Sequence, residues 1–251
     1  MPHVPIAVSK KFLGKSKQGL YGDLMMEIDW SVGRIIKALE KNRVIDNTFI
    51  IFTSDNGPWL NFGNHAGSTG GLREGKGTSF EGGQKVPTVM MWPDVIPAGK
   101  IANQLSSSID ILPTISHIVD GTLPDHKIDG INIIEILRGE KVNPRKEFYY
   151  YYGDNNLEAV RKNNWKLILP HKSRSYKGVL PNNDGFPGNY NSITTGLELY
   201  NLRRDPGEEY DVIKKYPNIA NELEELAEKA RSDMGDNLTG RKGINNRNHG
   251  K

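Results

Sequence analysis

Apolar residues return at helical spacing between residues 20 and 43. Leu20, Leu24, Ile28, Val32, Ile35, Ile36 and Leu39 make one stripe, with Asp23, Glu27, Arg34, Lys37, Glu40 and Lys41 on the remaining surface. Acids fall early and bases late, which complements the helix dipole. Met25, Met26 and Trp30 read as core packing, since methionine fills irregular gaps. Residues 49–52, FIIF, are continuously apolar, which suits a parallel strand buried on both faces. Gly57-Pro58 then turns the chain out of the sheet. The helix and the strand together read as half of a β-α-β unit, and residues 87–92, PTVMMW, read as another buried strand.

Further on, Ser108 or Asp110 can cap a short helix running to about residue 119, with Pro113 tolerated in its first turn and His117 as a surface or packing residue. Residues 131–137 predict a second short helix, closed by Arg138-Gly139. The pattern changes near Pro144. Residues 147–152 are aromatic and β-prone, and 159–162 and 165–169 read as paired strands turning at Asn163-Asn164. Residues 170–195 are polar, rich in Gly, Pro and Asn, and read as a loop. A strand at 197–202, a turn at Arg204-Asp205-Pro206-Gly207 and a helix at 217–234 follow. The divisions predicted are an α/β core over 1–145, an antiparallel sheet with a helix over 146–235, and a loose basic tail over 236–251.

Composition narrows the function classes. The chain has 251 residues, 36% hydrophobic and 25% charged, and no apolar run of membrane-spanning length. A net charge of +3 is too mild to argue for nucleic acid. The bases Arg161, Lys162, Lys166, Lys172, Arg174 and Lys177 read as solvated strand edges. The absence of cysteine excludes disulfides, thiolate metal sites and a cysteine nucleophile in this chain. The opening MPHVP shows no signal-peptide pattern and lacks an opening strand, so it reads as mid-domain sequence.

The chemistry concentrates after the FIIF strand. Asp55 and Asn56 sit just past its carboxyl end, where open α/β sheets bind ligands. A carboxylate beside an amide oxygen suits Ca²⁺ or Mg²⁺ better than zinc, although Asp-Asn-Gly also fits a plain turn. The glycine-rich stretch 59–83 nearly spells a nucleotide P-loop, G-x-x-x-x-G-K-[ST], at 70–77. It departs twice: Gly77 holds the Ser/Thr position, and no helix is expected through Gly82-Gly83 and Pro87. His65, Arg73 and Lys76 could still form an anion site on backbone that glycine lets approach closely, or a solvated basic loop. His3, between two prolines, reads as an ordinary loop residue.

FIIFTSDNGP followed by GGLREGKGTSFEGGQKVPTVMMWP resembles the type I sulfatases, the arylsulfatase-like branch of the alkaline phosphatase superfamily. MPHVPIAVS, LYGDLMMEIDWSVGRIIKALE, SSSIDILPTISHIVDG and LELYNLRRDPGEEYDVIKKYP resemble other family segments, in the family's order. The resemblance implies an α/β fold: a partial alkaline-phosphatase-like sandwich with an incomplete central sheet, then a small α+β subdomain with an antiparallel sheet and helix. It implies hydrolysis of sulfuric esters through a formylglycine nucleophile made from a Cys or Ser in C/S-x-P-S-R, with a divalent cation, usually Ca²⁺. By matching motifs, Asp55 and Asn56 correspond to the later pair of metal ligands. Lys76 and His3 correspond to the sulfate-contacting lysine and histidine. His65 is held as a substrate-side contact.

The departures are as informative. The chain has no C/S-x-P-S-R segment, no early Asp pair and no Lys and His following the nucleophile. It therefore resembles the C-terminal half of a sulfatase, as a truncated reading frame, an assembly fragment or a split gene whose separate N-terminal half would be a partner, and is expected to be inactive alone. The resemblance further implies a sulfate ester substrate such as a sulfated glycan, and a periplasmic, extracellular or lysosomal location. Two alternatives stay open: a non-catalytic, Ca²⁺-dependent module for sulfated glycans, and a phosphate or phosphonate monoester hydrolase of the same superfamily.

Overall fold

The computed structural model describes residues 3–246, so the start of the MPHVP opening and the last five residues of the tail lie outside the described residues. The chain forms two compact units. One runs to Trp92 and takes in His171–Thr195 and Arg203–Tyr210; the other holds Pro93–Pro170, Gly196–Leu202 and the chain from Asp211 onward. The architecture is mixed α/β with antiparallel sheets.

In the first unit, helix α1 spans Gly19–Lys41 and strand β1 spans Ile50–Thr53. A single-turn helix α2, Glu81–Gln84, precedes strand β2, Thr88–Met91. The strands pair antiparallel, Ile50 with Met91 and Thr53 with Thr88, which corrects the parallel, doubly buried expectation. The long excursion between them brings the chain back reversed. With one neighbour each and no layer on both faces, Phe52 and Val89 stay exposed, at 39% and 65%. The apolar stripe of α1 forms at the predicted spacing, but the only fully buried residues of the helix are Gly22 and Asp23. Asp23 turns inward because its carboxylate accepts the backbone N–H of Gly14 at 2.7 Å and of Ser16 at 2.6 Å. Met25, Met26, Trp30 and Ile35 are exposed rather than packed in a core.

The α2 turn corrects the expectation that no helix follows the glycine-rich loop. Its first N–H, on Glu81, donates to the Glu208 carboxylate at 2.7 Å, an acceptor that an isolated turn of glycines would lack. The stretch 170–195 is also corrected. It contains strands β6, Lys172–Ser175, and β7, Asn191–Thr194, in antiparallel register. Small serines alternate inward at 173 and 175 in place of apolar residues, so no hydrophobic period announces β6.

The second unit carries α3, Ile111–Ile118, behind a capping box of Ser107 and Asp110, and α4, Ile134–Leu137. Its sheet has the order β3-β4-β5-β8, from Glu147–Tyr152, Asn156–Lys162, Trp165–Ile168 and Glu198–Asn201. The β4–β5 turn is the predicted one, with Asn163 at φ +54°. Helix α5, Pro217–Met234, lays Ala220, Leu223, Leu226, Ala227 and Ala230 on this sheet. Each buried leucine there contributes about 1.5–3 kcal/mol. Lys166 is not a solvated edge base: it is fully buried, with its ammonium 4.2 Å from the centre of the Tyr150 ring. Nor are residues 236–246 loose. Gly235, at φ +79°, leaves room for Gly243 and Arg241 to cross it, and buried Asp236 accepts from Arg231 Nε at 2.9 Å and Leu157 N at 3.2 Å.

Candidate functional site

Every residue singled out from the sequence as a site residue lies in the first unit. The turn that leaves β1 is held by a backbone crossing that only glycine permits. A Cβ on Gly57 would lie 1.8 Å from the carbonyl oxygen of Gly82, and one on Gly83 would lie 2.4 Å from that of Thr78. Through this crossing Gly57 N–H donates to Gly83 O at 2.9 Å, and Lys76 N–H donates to Pro58 O at 2.8 Å. The Asp55-Asn56 segment and the lysine loop are thus tied at the backbone, three residues past Asp55.

Trp59 is the centre the sequence reading passed over. The ring of His3 lies 5.9 Å from its ring, and the Lys76 ammonium 5.5 Å from its centre. Phe62 packs edge-on against it at 4.7 Å. One indole therefore gathers the predicted histidine and lysine, at a distance where an aromatic face attracts a cation. A large aromatic directly after Gly57-Pro58, at the mouth of a glycine loop, was the available signal. His3 Nδ1 donates to Val4 O at 2.7 Å, since a carbonyl can only accept; this leaves Nε2 for a second partner.

Asp55 is exposed, and Asn56 and Lys76 are half-buried. Among the described residues, the Asp55 carboxylate, the Asn56 amide and the Lys76 ammonium have no hydrogen-bond or ion-pair partner. Arg73 differs: its guanidinium stacks over the Phe80 ring at 3.9 Å and donates to Glu208 O at 3.2 Å, so it holds the loop together. Of the three bases His65, Arg73 and Lys76, Arg73 is thus engaged within the loop. His65 closes the segment 60–65, and its Nδ1 is buried beside Gly185 with no partner among the described residues.

The donor chemistry bears on a metal. Asp55 and Asn56 are hard oxygen donors, but Ca²⁺ takes six to eight of them. Among the described residues no group of three or more His, Cys, Asp or Glu could hold a metal ion. The pair fits part of a calcium shell and does not complete one.

Comparison with known proteins bears on the family. A family model described as Sulfatase matches residues 1–121, and one described as the C-terminal region of aryl-sulfatase matches residues 143–248. The chain belongs to the sulfatase family. It is 37% identical to the N-acetylgalactosamine-6-sulfatase of Canis lupus familiaris over 83% of this chain and 42% of that protein. Among solved structures, the PsFucS1 sulfatase of Pseudoalteromonas sp. matches with a TM-score of 0.78 at 25% identity, over 90% of this chain and 45% of that one. Ps i-CgsB in complex with k-i-k-neocarrahexaose matches with a TM-score of 0.72 at 26% identity, over 91% and 47%. The chain spans less than half the length of these three proteins.

Proposed function

We propose that this chain supplies the sulfate-gripping and part of the metal-binding side of a sulfuric ester hydrolase. The observation that carries the reading is the Lys76 ammonium, without a counter-ion among the described residues, on the same indole as His3 and one backbone bond from the Asp55 turn. A sulfate ester brings an anionic tetrahedral group, and negative charge grows on the leaving oxygen as the S–O bond breaks. Lys76 offsets that charge directly. His3 offers Nε2 to a sulfate or leaving-group oxygen, donating when the ring is protonated. His65 is assigned a substrate-side contact in this reading.

Asp55 and Asn56 contribute two oxygens to a Ca²⁺ (or Mg²⁺) shell completed by donors from outside this chain. A bound divalent cation would supply electrostatic stabilisation of sulfate oxygens. The nucleophile also comes from elsewhere, since the chain has no cysteine and no S-x-P-S-R segment. A sulfated glycan is the substrate class this reading favours, because the relatives include an N-acetylgalactosamine-6-sulfatase and a neighbour holding a neocarrahexaose. A periplasmic, extracellular or lysosomal location goes with it.

The test is turnover of an aryl sulfate. The purified 251-residue chain should show none, and addition of a polypeptide carrying the formylglycine segment should restore it. Lys76→Met should then lower kcat/KM by roughly 100-fold or more, the scale of losing one charge-stabilising donor. Turnover by the chain alone, or an unaffected Lys76→Met, would refute the reading.

A further inference from the structure

The loop that carries Lys76 is held from a segment a hundred residues away in sequence. Glu74, two residues before the lysine, has φ +59°, in the left-handed region that non-glycine residues seldom occupy. Its side chain is turned inward and the residue is only 9% exposed. The carboxylate accepts Ser175 Oγ–H at 2.5 Å and Tyr176 N–H at 2.7 Å. Tyr176 then reaches back: its hydroxyl donates to Lys76 O at 2.7 Å. On the other side, Lys76 N–H is bound to Pro58 O. Both backbone polar groups of Lys76 are thus anchored, one to the turn leaving β1 and one to the end of β6.

We propose that Glu74 and Tyr176 are positioning residues for Lys76. The carboxylate orients the β6 end, the β6 end presents the tyrosine hydroxyl, and the hydroxyl sets the direction in which the lysine stem leaves the backbone. Left-handed backbone and a buried carboxylate two residues before an ammonium that has no counter-ion among the described residues are the features that point to function here. A loop needing closure alone would be served by Gly75 and Gly77, which already allow Lys76 to approach Pro58. The inference rests on the reading of Lys76 as the sulfate-binding cation.

The experiment is a titration of the full 251-residue chain with inorganic sulfate. It is followed by the NMR signal of the Lys76 ε-methylene, identified through its loss in Lys76→Met. Tyr176→Phe removes the bond to Lys76 O together with the one its hydroxyl accepts from Arg174 Nη1 at 3.3 Å, and should weaken sulfate roughly 2- to 10-fold, more than any drop in Tm accounts for. It should also move the Lys76 signal toward that of a solvated lysine. Glu74→Gln should act in the same direction and more strongly; if it does not fold, Tyr176→Phe decides alone. Sulfate affinity unchanged in Tyr176→Phe, or lost only in step with the Tm, overturns the inference while a loss in Lys76→Met leaves the site reading standing. Unchanged affinity in Lys76→Met overturns both.

Discussion

Single carboxylates do much of the local organisation. The backbone N–H of Ser16, ahead of that of Gly14, holds the Asp23 carboxyl below the usual aspartate range. A depressed folded-state value stabilises the fold above the ordinary aspartate pKa and loses that contribution as pH falls through the depressed value. Asp23→Asn should therefore lower the urea midpoint at neutral pH and flatten its decline in acid. A decline as steep as in the unaltered chain would count against this. Asp110 is wholly buried: it pairs with Arg145 and accepts the N–H groups of Ser107 at 2.8 Å and Ile131 at 2.9 Å. Asp110→Ala leaves the arginine buried without its partner, and should cost about 3–5 kcal/mol by chemical denaturation.

At the scale of elements, α1 and the β1–β2 pair leave apolar side chains exposed, although the Trp30 ring is partly covered by the Lys11 ammonium, 3.6 Å from its centre, and by Phe12 at 5.6 Å. Trp30 is 40% exposed and Ile35 58%, and each strand of the pair has one unpaired edge. The chain on its own should self-associate in a concentration-dependent way. Sedimentation velocity checks it, and Ile35→Lys should shift the distribution toward monomer. A monodisperse monomer in the unaltered chain at high concentration would contradict the expectation. The β6–β7 pair shows the opposite pattern: β6 turns Ser173 and Ser175 inward, β7 turns in only Ile193, and the end of β6 holds the lysine loop.

For the molecule as a whole, stability and ligand affinity are separate questions. A ligand raises the Tm only as far as its concentration exceeds its dissociation constant. Two oxygen donors make a weak calcium site. The melting temperature of the chain alone should thus be the same in millimolar calcium and in a chelator, and should become calcium-dependent once the remaining donors are added. A chelator-sensitive Tm in the chain alone would show a complete metal shell within it.

The amino-acid sequence determined what depends on near neighbours. The 3.6-residue period of 217–234 became α5 with the same bounds, and the Asn163-Asn164 turn paired β4 with β5, because helix faces and tight turns are set within a few residues. The motifs carrying Asp55, Asn56 and Lys76 were read from contiguous stretches that resemble a family. Tertiary structure decided the rest. It alone reversed β2 against β1, buried Lys166 beneath Tyr150, and folded the polar 171–195 segment onto the first unit. It alone brought His3 and Lys76 to Trp59, and Tyr176 to the lysine backbone. Such outcomes depend on which distant carbonyls, rings and glycines meet, and no local period of hydrophobic and polar residues encodes that meeting.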